Sequence, residues 1–120
     1  CQWMGMYHEV DADIQIIING LWSSGATAIE VNNIRITAAT SIRNAGKAVL
    51  IDYSPIRSPY TFKAIGPISM KASFERSVAA AWVRDLSQNY PIDVQMTARR
   101  PLRVKAGTMP TVEYAQKVSE

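Results

Sequence analysis

Apolar residues recur early in the chain at Ile14, Ile17, Ile18, Leu21 and Trp22, the i, i+3, i+4, i+7, i+8 stripe of an amphipathic helix. Asp11 or Asp13 suits its start, and Gly25 suits the left-handed position that closes it. Trp22, at the end of the stripe, reads first as a core anchor and second as part of a binding surface. The pattern then changes period. In "AIEVNNIRIT", Ala28 to Thr37, alternation breaks at the asparagine pair. With Asn32 and Asn33 at positive φ in a two-residue turn, Val31 lies opposite Ile34 and Ile29 opposite Ile36 on one face, with Glu30 opposite Arg35 on the other. A continuous strand would send Ile34 and Ile36 to the face away from Ile29 and Val31, so the hairpin is preferred. The solvated Glu30 and Arg35 pair contributes on the order of 0.2 to 1 kcal/mol and has no functional role by itself.

Beyond the hairpin, a turn at Asn44 to Gly46 precedes "AVLI", a strand expected in the middle of the sheet. Pro55 and Pro59 bracket a loop, and "YTFKAIG" is expected as the antiparallel neighbour of "AVLI". Met70, Phe74, Val78, Ala81, Trp82 and Leu86 then follow helical spacing after Pro67, with Ser69 as a cap and room for a break near the first turns. "IDVQMTARR" alternates Ile92, Val94 and Met96 against Asp93, Gln95 and Thr97, as a half-buried strand does. Pairing is expected to resume at "LRVK" after Pro101. These elements predict an α+β fold, a ferredoxin-like sandwich with an antiparallel or mixed sheet of five to six strands and two helices on one face. One domain over 1–106 and a polar tail over 107–120 complete the expected organisation.

At 120 residues the chain is long enough for one core and too short for two. Its net charge of +3 permits contact with anions, but no nucleic-acid motif accompanies it, and nucleic-acid binding is disfavoured. Cys1, the single cysteine, cannot close an internal disulfide, and Cys1 with His8 cannot make a transition-metal site. No apolar run reaches the ~20 residues that cross a bilayer, and a start at Cys1 suits a fragment of a longer protein.

Phosphate loop, nucleophile elbow and close carboxylate pair are all missing, and His8 beside Glu9 reads as a strand-end or surface residue. No catalytic residue, cofactor or metal is therefore expected. Arg99, Arg100, Arg103 and Lys105 form a basic cluster that suits phosphates, although protection of a sheet edge explains it better. Two groups offer a contact surface: Tyr60 after Pro59 with Tyr53, Arg57 and Arg43, for which buried tyrosine edges are an equal alternative, and the small polar residues Thr37 and Thr40 that follow Arg35. The expectation is a groove between the hairpin and the "SPIRSPY" loop with Arg43 and Tyr60 as anchors; the alternative is that these groups satisfy loop carbonyls.

The ordered elements "LW" at Leu21 and Trp22, "GA" at Gly25, "AI" at Ala28, Asn32, "RIT" at Arg35 to Thr37, Thr40, "IR" at Ile42, "PY" at Pro59 and "AIG" at Ala64 to Gly66 resemble a known family. It is the bacterial family called domain of unknown function 881, some members of which are labelled division initiation proteins. The resemblance runs from about Asp11 to Gly66, and Asn33 stands where the family usually has Gly. It implies a domain that follows an N-terminal membrane anchor and a coiled coil, in Gram-positive bacteria including actinobacteria, on the outer side of the cytoplasmic membrane. It implies no enzyme activity, protein partners linked to division or envelope, and self-association through the coiled coil. A small-ligand or nucleic-acid binding module is the alternative.

Overall fold

The computed structural model describes residues 10–99 and 115–117. Helix α1, Val10–Ser23, buries Val10, Ile14, Ile17, Ile18 and Leu21 along the expected stripe. It ends as its glycine requires. Gly25 takes φ 112°, its N–H donates to Trp22 O at 3.0 Å, and the Ala26 N–H donates to Leu21 O at 3.0 Å. These are the two bonds that close a helix through a left-handed residue. Strands β1, Ala28–Val31, and β2, Ile34–Ile36, form the hairpin in the expected register, Val31 opposite Ile34, Glu30 opposite Arg35 and Ile29 opposite Ile36. Asn32 and Asn33 sit at φ 50° and 69°, the values a turn of this hand needs.

Three further strands depart from expectation. Strands β3, Ile42–Ala45, β4, Ala48–Ile51, and β5, Ser54–Ile56, make a sheet of their own in the order β3-β4-β5. The "AVLI" strand is central there, yet it is not a neighbour of "YTFKAIG". Asp52, at φ 54°, reverses the chain so soon that Leu50 pairs with Pro55, and β3 holds the other side of β4. Both edges of β4 are then filled. Pro55, expected in a loop, is accommodated because β5 is an edge strand.

Strand β6, Tyr60–Gly66, instead lies between β1, antiparallel, and β7, Ile92–Arg99, parallel. The parallel step needs a long crossover, which residues 67–91 supply with two helices. These are α2, Met70–Glu75, and α3, Val78–Leu86. The single second helix of the sequence reading is broken at Ser77, whose extended backbone and bond from Oγ to Phe74 O, 2.6 Å, end one helix and start the next. The break rotates the stripe: Ala79 and Ala80 are buried, whereas Val78 and Ala81 face solvent. Ser69 occupies the position before α2 but makes no side-chain cap bond.

Strand β8, Ala115–Lys117, pairs antiparallel with β7, so part of the expected polar tail belongs to the sheet. The large sheet runs β2-β1-β6-β7-β8, a mixed sheet of five strands as expected, and the three-stranded sheet beside it brings the strands among the described residues to eight. The chain is thus an α+β sandwich of ferredoxin-like layering with a small second sheet added. Its core joins Ile14, Ile17 and Leu21 of α1 to Phe62 and Met96 of the large sheet, Phe74 and Leu86 of the crossover, and Val49 and Ile51 of the small sheet. Gly20 allows α1 and α3 to approach closely, since a Cβ there would overlap the Cβ of Ala79. Among the described residues no helix is long and apolar enough to cross a membrane. Cys1, His8, the "LRVK" segment and the Arg100, Arg103 and Lys105 part of the basic cluster lie outside the described residues.

Candidate interaction surface

Alternation along β1, β6 and β7 turns Ile29, Val31, Phe62, Ala64 and Met96 toward the helices and leaves the intervening residues on the opposite face. Register then aligns the outward residues across strands. Arg35 lies opposite Glu30, Glu30 opposite Lys63, and Lys63 beside Gln95. A second row runs Ala28, Ile65, Thr97. Glu30 is therefore flanked on both neighbouring strands by a cation, while half-buried Ala28 and Ile65 provide an apolar floor. Together with Arg99 these residues line a concavity of about 320 Å³ on the outer face. No described helix covers it.

A second hollow of about 500 Å³ opens where the β1–β2 turn meets the loop before β6. Its walls are Asn32, Asn33, Arg57, Pro59 and Thr61, and it shares Lys63 and Gln95 with the first, so the two form one trough. Asn32 holds this junction together. Its Oδ1 accepts from the Thr61 N–H at 2.8 Å, and its Nδ2 donates to Pro59 O at 3.2 Å and to Arg57 O at 3.4 Å. Lys63 Nζ donates to Asn33 Oδ1 at 3.4 Å. Among the described residues the charges lining the trough are Arg35, Arg57, Lys63 and Arg99 with Glu30, and Asp93 stands beside them, accepting from Gln95 Nε2 at 2.6 Å.

The hollow between the hairpin and the "SPIRSPY" loop does not have the walls or the Arg43 and Tyr60 anchors expected for it. Arg35 and Pro59 line the trough; the other four candidates are elsewhere. Thr37 and Thr40 close a turn on each other, the Thr37 N–H donating to Thr40 Oγ1 at 2.8 Å and the Ala39 N–H to Thr37 Oγ1 at 3.2 Å. They border a separate hollow against Trp22, which is half-buried. Thr40→Val is expected to lower the denaturation free energy by about 1 kcal/mol, read from the urea midpoint, because the Thr37 amide loses its acceptor. Arg43 is exposed on β3 in the small sheet.

Tyr60 is buried beneath the trough, with its ring 5.9 Å from that of Tyr90. Burial, reinforced by Tyr90 and opposed by Arg57, pushes its phenol above the usual 10.0. The folded state then holds this proton more tightly than the unfolded chain. The resulting stability is complete below the unfolded value and is lost as pH rises through the folded one. Urea midpoints taken from neutral to alkaline pH are expected to fall less steeply at the alkaline end in Tyr60→Phe than in the parent.

Lys63, Gln95 and Thr97 were not among the residues expected at a site, although the polar phase of "IDVQMTARR" already displayed two of them. Among the described residues no three His, Cys, Asp or Glu side chains are grouped as metal ligands.

The sequence model of a family described as "Bacterial protein of unknown function (DUF881)" matches residues 7–116. UPF0749 protein Rv1823 of Mycobacterium tuberculosis (strain ATCC 25618 / H37Rv) and UPF0749 protein MT1871 of strain CDC 1551 / Oshkosh are each 37% identical to the chain over 110 residues. The match takes in 91% of this chain and 36% of each relative, so the chain spans about a third of their length. A crystal structure of an uncharacterized conserved protein from Mycobacterium tuberculosis is similar with a TM-score of 0.55 and 24% identity, over 63% of this chain and 57% of that one. At that identity the likeness concerns the fold alone.

Proposed function

The chain belongs to the DUF881 family of bacterial proteins of unknown function, and from that premise we propose that it is a non-catalytic docking domain of a longer, membrane-anchored protein. The docking surface is the outer trough of the large sheet, and the observation that carries this is its anatomy. An apolar floor at Ala28 and Ile65 is ringed by Arg35, Lys63, Gln95 and Arg99, an arrangement with the apolar centre and polar, Arg-bearing rim of protein contacts. The family resemblance supports placing the domain on the outer side of the cytoplasmic membrane, with partners in cell division or the envelope and self-association through an upstream coiled coil. The 36% share of the relatives' length is compatible with such additional parts.

Protease treatment of intact protoplasts carrying the tagged full-length protein tests the placement. Removal of the domain by external protease is the expected result. A uniformly cytosolic, protected domain would sink it. A small anionic ligand is the second reading, because about 320 Å³ falls within the size of small-molecule sites. Isothermal titration with citrate separates the two, since a docking surface for a protein segment shows no saturable heat with so small an anion.

A further inference from the structure

We propose that the occupant of the trough is an extended acidic segment of a partner protein, an inference that rests on the docking reading above. Among the described residues four cations, Arg35, Arg57, Lys63 and Arg99, line the two joined hollows, with Glu30 among them and Asp93 beside them on the outward face of β7. Register places Glu30 between Arg35 and Lys63 on the neighbouring strands, and Asp93 accepts from Gln95 Nε2 at 2.6 Å, so among the described residues cations outnumber acids four to two on this face. Complementarity of this kind selects an anionic partner and speeds its encounter. The shape selects an extended one. From β2 to β7 the trough crosses four strands, and at ~4.8 Å between strands that is roughly 14 Å, a length covered by about five extended residues. Alternation within such a segment sets acidic side chains toward the cationic rim and apolar ones on Ala28 and Ile65.

Two other occupants fit less well. Single-stranded nucleic acid is held on sheet faces by stacking on aromatic rings, and among the described residues neither hollow is lined by Phe, Tyr or Trp. The chain's own segment from Arg100 to Tyr114 carries Arg100, Arg103 and Lys105 against Glu113, so its charge repeats that of the trough instead of complementing it.

The test uses the 120-residue chain and a fluorescent peptide of alternating glutamate and valine, with fluorescence anisotropy at low and high salt. A lysine-valine peptide and an oligothymidine of similar length are the comparisons. The expected result is saturable binding of the glutamate peptide alone, weakened by salt and weakened about tenfold or more by either Lys63→Glu or Arg57→Glu. Lys47→Glu makes the same charge change on the exposed β3–β4 turn and is expected to leave binding within about twofold, the screened long-range contribution. Amide shifts on binding should map to 61–65 and 93–97. Circular dichroism confirms that the variants fold, and because Lys63 and Arg57 are both exposed, either one suffices if the other misfolds. No binding at low salt, equal weakening by Lys47→Glu, or tighter binding of the oligothymidine would each overturn the proposal. If a partner nevertheless cross-links to the trough in the full-length protein, the acidic occupant is rejected and the docking surface stands.

Discussion

Gly20→Val is expected to destabilise the fold by about 3 kcal/mol, and Gly20→Ala by about 1 to 2 kcal/mol, with the loss read from urea midpoints at unchanged slope. Intrinsic propensity predicts the opposite sign for alanine, since glycine inside a helix costs roughly 1 kcal/mol relative to it. Packing decides the sign. A Cβ at position 20 would overlap the Cβ of Ala79, which is fixed to the α3 backbone and has no rotamer to escape into, and it would lie 3.4 Å from Phe74 Cε1. The two helices must therefore separate, which opens the layer that covers the inner face of the sheet. Restoring the space from the other side, with Ala79→Gly in the Gly20→Ala background, should recover part of the loss as a favourable coupling. A stabilised Gly20→Ala would show that the helices can part without cost.

Asn32→Ala is expected to cost about 2 to 3 kcal/mol and to lower the melting temperature by roughly 10 °C or more. Two effects add. Alanine tolerates the φ of 50° less well than asparagine, at about 1 kcal/mol. The larger part comes from the side-chain amide, which serves the Thr61 N–H and the carbonyls of Pro59 and Arg57. Asn32→Gly separates the two, because glycine keeps the turn and loses only the three bonds; it should retain about two thirds of the destabilisation. Asn33→Gly, by contrast, relaxes a turn residue whose side chain meets only Lys63 Nζ at 3.4 Å, and should be neutral or mildly stabilising. Asn32 is thus a latch between hairpin and loop, and the trough wall depends on it.

The hairpin was legible because everything that specifies it is local: two asparagines that accept positive φ and four apolar residues whose faces agree in one register only. Helix α1 was legible for the same reason. Strand partners further apart were not. Whether "AVLI" meets "YTFKAIG" depends on which strands already occupy its edges, and neither the early reversal at Asp52 nor the filling of both edges of β4 is written in periodicity. The break at Ser77 was half visible. Met70, Phe74, Val78, Trp82 and Leu86 fit one helical phase, while Ala79 and Ala80 fit the phase that the interrupted helix adopts. At the surface, polar alternation identified the outward side of β7, but joining Gln95 to Lys63, Glu30 and Arg35 required the order of four strands. Tyr60 was open between surface anchor and buried edge because proline and serine beside it resemble an exposed loop, and its place at the start of the inward phase of β6 buries it.

On the proposed reading, the outer face of the large sheet is where this domain meets its partner. Site-specific photo-cross-linking in the full-length protein in cells tests it most directly, with the photoreactive residue at Thr97 in the trough and, for comparison, at the exposed positions Tyr53 and Val78 on other elements. A discrete cross-linked species is expected from position 97, diminished by Lys63→Glu, and none from 53 or 78. Discrete species from 53 or 78 with none from 97 would contradict it.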